Sequence, residues 1–410
     1  MYILLINKFL YPKGGAEVYT LNLGELLGER GHKVIYWGMD HPQNPIYPYS
    51  DLFVSYHDFN ELSGFIEKLK AGINILYSLE AKEKIEKLLK RKRPDIVHLN
   101  NIYHQISPSI LDIFARHDIP TVMTLHDYKL VCPSYMMMVE GKICEKCKEG
   151  RYYWCFLKKC TKSSYLKSLL NTFEMYLHHK ILHIYDKVNV FIAPSMFLKS
   201  KIEEMGFGGK LVHLPNFINL DRFEPSYSWE EKTMVYFGRL SPEKGLFTLL
   251  NAVNKLKVRL KIIGEGPIRR ELEKKAGENV YFLGYMPHRS LKGEIKKAMA
   301  VVLPSEWYEN YPFSILESFA LGKPVIGSAI GGIPELITNG KTGFLFEPGN
   351  AEDLADKISQ LMKDRKLIKE MGKYAREKVE QKCSPETHYE KLMKIYKSAI
   401  RKHNKYSRRM

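Results

Sequence analysis

The chain alternates short apolar runs with longer amphipathic stretches. Tyr2–Ile6 has the length and composition of a strand. A glycine-containing loop follows, then a helical pattern from about Glu17 to Arg30 that Gly31 ends. Lys33–Trp37 predicts the next strand, and Ile96–Leu99, Thr121–Leu125 and Val188–Ala193 repeat the form. The second half has the same grammar at Met234–Phe237, Leu260–Ile263, Val280–Leu283, Val301–Leu303 and Pro324–Ile326, mostly with a helix after each strand. Strands alternating with helices predict the α/β class and parallel, doubly wound sheets.

A chain of 410 residues suits two domains. Residues 215–232 are irregular, with two prolines and many polar side chains, and are read as the connection. The expected division is a first domain over 1–214, a second over 215–385 and a closing segment over 386–410. In that segment Tyr389, Leu392, Met393, Tyr396 and Ile400 recur at helical spacing over about 386–402. Their apolar face needs a partner, which the first domain can supply. The basic tail from Lys402 is expected to fray.

Hydrophobic residues make up 45% and charged residues 27%, enough to bury a sizeable core. No run reaches the length of about 18 apolar residues needed to span a bilayer. The N-terminus lacks a basic leader, and Asn7 and Lys8 interrupt its apolar run, so the sequence reads as cytoplasmic. The net charge of +17 favours anionic partners, although lysine-rich stretches such as 82–93 are also what a solvated helix face looks like.

Candidate chemistry concentrates in two segments. In 235–245 (VYFGRLSPEKG) a strand ends at Phe237, Gly238 turns, and Arg239 and Lys244 stand at the strand's C-terminal end, placed to neutralise a phosphate leaving group. In 304–335 a strand leads through a loop to a helix beginning near Pro312–Phe313. The free N–H groups of that first turn suit an anion. Glu309 lies before the helix and Glu317 eight positions later, where carboxylates can accept from sugar or ribose hydroxyls.

The ordered set GRLSPEKG, IIGEGP, FLGY, ENYPFSILE and GKPVIGSAIGGIPE, with GGAE and LPNFINLDRF upstream, resembles the retaining glycosyltransferases of family GT4 over nearly the whole chain. The resemblance implies the GT-B fold, two Rossmann-like domains facing across a cleft. It implies a nucleotide-diphosphate sugar donor of UDP or GDP type, retention at the anomeric carbon and no required catalytic metal; no Asp-x-Asp motif is present. By position it gives Arg239 and Lys244 the diphosphate, Glu309 the transferred sugar and Glu317 the ribose. The backbone of Tyr311, Phe313 and Ser314 would meet sugar and phosphate, with Ile315 on the nucleotide side and Gly264 and Tyr285 near the base. Gly14, Gly15 and Gly238 would allow close backbone approach, and His126 would lie by the donor sugar. On their own terms, Gly14–Gly15 fit a plain turn, Tyr285 fits packing and His126 fits a core histidine. Many members carry glycines after the first glutamate, where this chain has Asn310, Tyr311 and Pro312.

Five of the six cysteines fall between 132 and 160. Cys144, Cys147, Cys155 and Cys160, with Cys132 as an alternative ligand, predict a structural zinc knuckle inserted in the first domain; free thiols, an iron–sulfur cluster and redox pairs are the other readings. Downstream, 164–185 has the pattern of an aromatic, mildly basic amphipathic helix, suited either to packing on the sheet or to resting on an anionic membrane. Members of the family build cell-surface glycans, so a glycan or lipid-linked acceptor is expected, with the protein peripheral on the inner membrane face. The competing functions are another sugar-nucleotide activity of the same fold, such as an epimerase or hydrolase, and a nucleic-acid-binding protein with a zinc knuckle. No nucleic-acid module is recognisable, which disfavours the last.

Overall fold

A computed structural model describes residues 1–56 and 72–407. Two six-stranded sheets, parallel throughout, form the frame. The first is built from β1 (Tyr2–Ile6), β2 (Lys33–Trp37), β3 (Ile96–Leu99), β4 (Thr121–Thr124), β5 (Val190–Ala193) and β6 (Leu211–His213), in the order β6-β5-β4-β3-β1-β2. The second contains β7 (Thr233–Phe237), β8 (Arg259–Ile263), β9 (Val280–Gly284), β10 (Ala300–Leu303), β11 (Val325–Ser328) and β12 (Gly343–Phe346), in the order β9-β8-β7-β10-β11-β12. Both sheets reverse strand order beside their first strand. The crevice outside the strand ends at such a switch point is where ligands bind in doubly wound folds.

β3, β4, β5, β7, β10 and β11 are buried along their whole length. That explains their continuous apolar runs, since helices cover both faces of a parallel sheet. The short outer strands β6 and β12 were not among those expected. β6 is three residues long, and both carry little alternation to mark them.

The closing helix, Pro385–Ser407, returns to the first domain. Leu392, Tyr396 and Ala399 are buried with Ile3, Leu5, Tyr19 and Leu23 in one apolar cluster. Polar bonds fix its register: Tyr396 Oη lies 2.7 Å from His98 Nδ1, and His388 lies 3.2 Å from Tyr19 Oη and 2.8 Å from the Pro215 carbonyl. The helix runs past the expected end near 402; of the tail expected to fray, residues 408–410 lie outside the described residues.

Candidate active site

The second sheet's switch point carries the expected cations. Gly238 (φ +148°) and Gly264 (φ +139°) bring the loops after β7 and β8 into direct contact: a Cβ on Gly264 would lie 1.9 Å from the Gly238 carbonyl oxygen. Only glycine meets both demands, the positive φ and the close approach. Arg239 stands exposed at this edge, its carbonyl held by Tyr236 Oη at 2.8 Å.

Lys244 reaches across to the loop after β10, where its Nζ donates to Glu309 Oε1 at 2.7 Å. Ser305 Oγ donates to the same oxygen at 2.6 Å, and the ammonium sits 4.9 Å from the Trp307 ring centre. Burial alone would raise the Glu309 pKa. Lys244, Ser305 and Trp307 outweigh it and hold the carboxyl below its ordinary value, ionised. Gly331 and Gly332 brace the loop from behind: the Gly332 N–H donates to the Glu309 carbonyl at 2.7 Å.

Helix Phe313–Ala320 starts directly beyond this loop, with Pro312 as the residue before its first turn and no side chain capping its N–H groups. Gly14 and Gly15, at the start of helix Gly15–Glu29 in the first domain, face it; a Cβ on Gly15 would lie 3.5 Å from Phe313 Cδ2. Glu317 is half-buried on the helix, and its Oε1 lies 3.4 Å from His288 Nε2. Ser314 is half-buried in the first turn, and Tyr285 is exposed beyond β9. Two side chains turn away from the cleft. Ile315 is wholly buried in the apolar core, and Tyr311 points inward with its hydroxyl 3.4 Å from Cys383 Sγ.

His126 follows β4 on the first-domain side. Its Nε2 lies 2.9 Å from Asn100 Oδ1, and burial lowers its pKa to about 3, so the ring is neutral at pH 7. With Nε2–H donating to Asn100, Nδ1 is left as an acceptor.

Several residues of the site carried no sequence signal because their roles exist only between domains. Asn310 Nδ2 donates to the Leu125 carbonyl at 3.0 Å, and Ser195 Oγ donates to Asn310 Oδ1 at 2.9 Å. Asn310 is thus a latch onto the first domain. Glu335 accepts from the Met196 and Phe197 N–H groups at 2.9 and 2.6 Å, capping the first-domain helix Met196–Glu204 from the second domain. Tyr308 Oη donates to Glu145 of the cysteine-rich insert at 2.8 Å.

The five clustered cysteines lie within electrostatic reach of one another. All are unbridged thiols. Cys132 Sγ lies 3.3 Å from Ser134 Oγ, and Cys155 Sγ 3.9 Å from Thr161 Oγ1. A hydrogen bond with Cys160 lowers the Cys155 thiol to about 7, and the same bond pushes Cys160 up. Cys144 and Cys147 complete the set, but among the described residues no group of three or more His, Cys, Asp or Glu side chains could hold a metal ion. In this arrangement the thiols contact hydroxyls and one another.

Residues 13–222 match the family model described as Glycosyltransferase Family 4, and residues 218–378 match that of glycosyl transferases group 1. The chain belongs to glycosyltransferase family 4. It is an enzyme of the hexosyltransferase type, and its fold is GT-B. A relative in Bacillus anthracis, N-acetyl-alpha-D-glucosaminyl L-malate synthase, is 26% identical over 97% of this chain and 98% of its own length. The sulfoquinovosyl transferase SQD2 of Arabidopsis thaliana is 36% identical over 40% of this chain, a segment that spans 32% of that protein. Among solved structures, sucrose-phosphate synthase from Thermosynechococcus elongatus superposes with a TM-score of 0.72 at 21% identity, covering 97% of this chain and 98% of that one. Anabaena HepE in complex with UDP and glucose gives 0.67 at 17%, covering 97% and 100%.

Proposed function

We propose that this glycosyltransferase moves a hexose from a nucleoside-diphosphate sugar to a glycan or lipid-linked acceptor with retention at the anomeric carbon, in the synthesis of a cell-surface polysaccharide on the cytoplasmic side of the membrane. The carrying observation is the Lys244–Glu309 pair at the second sheet's switch point, flanked by the exposed Arg239 and the uncapped helix N-terminus at Phe313. Arg239, Lys244 and the helix N–H groups supply fixed positive charge to the diphosphate as the C1–O bond breaks, so no catalytic metal is needed. Glu309, kept ionised, accepts from sugar hydroxyls, as does Nδ1 of the neutral His126. Glu317 takes the ribose hydroxyls. The leaving phosphate oxygen, on the same face as the entering acceptor, takes the acceptor's proton. The UDP and UDP-glucose complexes of Anabaena HepE, which shares this fold, support a nucleotide-sugar donor.

Calorimetric titration with UDP, GDP, ADP and their sugar conjugates tests the reading. One nucleotide binds, and Glu317→Ala weakens it about tenfold, the loss of one or two hydrogen bonds to a charged acceptor. Absence of binding to all of them sinks the donor site. Rapid donor turnover without any acceptor marks an epimerase or hydrolase instead.

A further inference from the structure

The helix Tyr165–Tyr176 is built inside out. Its inward face is mostly polar: Ser168, Asn171, Thr172 and Glu174 are buried beside a single apolar residue, Met175. Glu174 is wholly enclosed and paired with the equally buried Lys129 at 2.7 Å, and Lys129 also donates to the Pro133 carbonyl at 3.0 Å. Asn171 donates to Thr161 Oγ1 at 3.0 Å and Thr172 to the Tyr152 carbonyl at 3.3 Å. These bonds fix which side faces the protein. The outward face is left with Tyr165 at 54%, Leu166 at 77%, Leu169 at 49% and Phe173 at 50% exposure. Leu157 and Tyr153 of the neighbouring helix Tyr153–Leu157, and Ile181 just downstream, are exposed too. A contiguous exposed apolar face of this kind marks an interaction surface.

Charge selects the occupant. From residue 151 to 173 the sequence contains Arg151, Lys158, Lys159, Lys162 and Lys167 and no aspartate or glutamate. Lys158, Lys159, Lys162 and Lys167 are exposed, and Lys159 sits 4.2 Å from the Tyr165 ring centre. Pairing this face with a second copy would bring two basic rims together, whereas an anionic bilayer offers hydrocarbon to the stripe and phosphate to the rim. Aromatic rings at the edge of the patch suit the headgroup layer.

We propose that the Tyr165–Phe173 face with its lysine rim seats this protein on an anionic lipid bilayer. The contact is tied to the cleft, because the same insert that carries the Tyr153–Leu157 helix holds Tyr308, next to Glu309, through Glu145. Seating the face therefore sets the donor loop at a defined distance from the membrane surface, where a lipid-borne acceptor would lie. The inference goes beyond the donor reading and does not depend on it.

Flotation of the full chain with phosphatidylcholine vesicles, with and without phosphatidylglycerol, tests the proposal. Binding is expected to the anionic vesicles and to fall with salt. Leu166→Glu and Leu169→Glu should each weaken it about tenfold, the worth of one leucine side chain withdrawn from an apolar phase. Nucleotide binding and thermal midpoint, measured on the same variants, should stay at wild-type values because both leucines face outward. Failure to float with anionic vesicles overturns the proposal, as does equal binding to both vesicle types or binding that survives the double leucine substitution. A lipid-free dimer that Leu166→Glu dissociates would assign the face to a second copy and overturn it as well. Failure of the donor reading would appear separately, as absent nucleotide binding with flotation intact.

Discussion

Glu309 is buried and its partner Lys244 only partly so, and the two depend on each other unequally. Without Lys244 the Glu309 carboxylate keeps Ser305 but loses its countercharge in a desolvated place. Removing one partner of a buried pair costs about 3 kcal/mol or more, whereas replacing both with neutral groups of similar volume is often nearly neutral. Lys244→Ala should therefore lower both the thermal midpoint and donor binding. Lys244→Met combined with Glu309→Gln should recover most of the stability while leaving turnover abolished. Denaturant melts and transfer assays on the two variants check this; a double variant as unstable as the single one would contradict it. The residue types were legible here, because lysine and glutamate at strand ends have few uses beyond charge. That the lysine's partner in this state is the glutamate was not legible, since 65 residues separate them.

Among elements, the loop after β7 is shaped by Gly245. It has φ +66°, and a Cβ there would lie 1.8 Å from the Pro304 carbonyl oxygen. The loop carrying Lys244 thus lies directly against the loop carrying Glu309, with no room for a side chain between them. Gly245→Ala should cost about 2 kcal/mol or more, through both backbone strain and displacement of one loop. Activity should fall further than stability, because a shift near 1 Å misaligns the pair. Urea melts and turnover numbers provide the comparison. The inner strands of both sheets were readable because they are largely apolar, with helices between them, whereas the short outer strands β6 and β12 were not. Helix Tyr165–Tyr176 was readable only as amphipathic: periodicity places its apolar face but not which way that face points. Lys129 and Glu174 decide the orientation, and they meet only once β4 and the insert are in place. The five clustered cysteines were legible as a group from their spacing, and their thiols do come within reach of one another.

For the whole molecule, the closing helix is held to the first domain partly by histidines that stay neutral. Burial lowers His98 to about 3 and His388 to about 4. In the unfolded chain both take a proton near pH 6.5. Between those values the unfolded state binds more protons, so the fold is fully stable above about pH 6.5 and loses stability as pH falls below it. At pH 5 each such histidine costs about 2 kcal/mol relative to neutral pH. The unfolding temperature should drop between pH 7.5 and pH 5, and His388→Gln should flatten that dependence. An unchanged slope would show that the ring is already charged in the folded protein. The latch at Asn310 and the cap at Glu335 work at the same scale, joining two domains that are each ordinary doubly wound units.

The return of helix Pro385–Ser407 also bears on how the chain matures during synthesis. Ile3 and Leu5 share their cluster with Leu392 and Tyr396, which are synthesised long after them. Domains generally fold in the order in which they leave the ribosome. Here the first domain leaves with the apolar surface that Leu392, Tyr396 and Ala399 cover still partly open to water, and the second domain has time to fold before that surface is covered. A nascent chain stopped short of residue 385 would therefore present a finished second domain beside an unfinished first one.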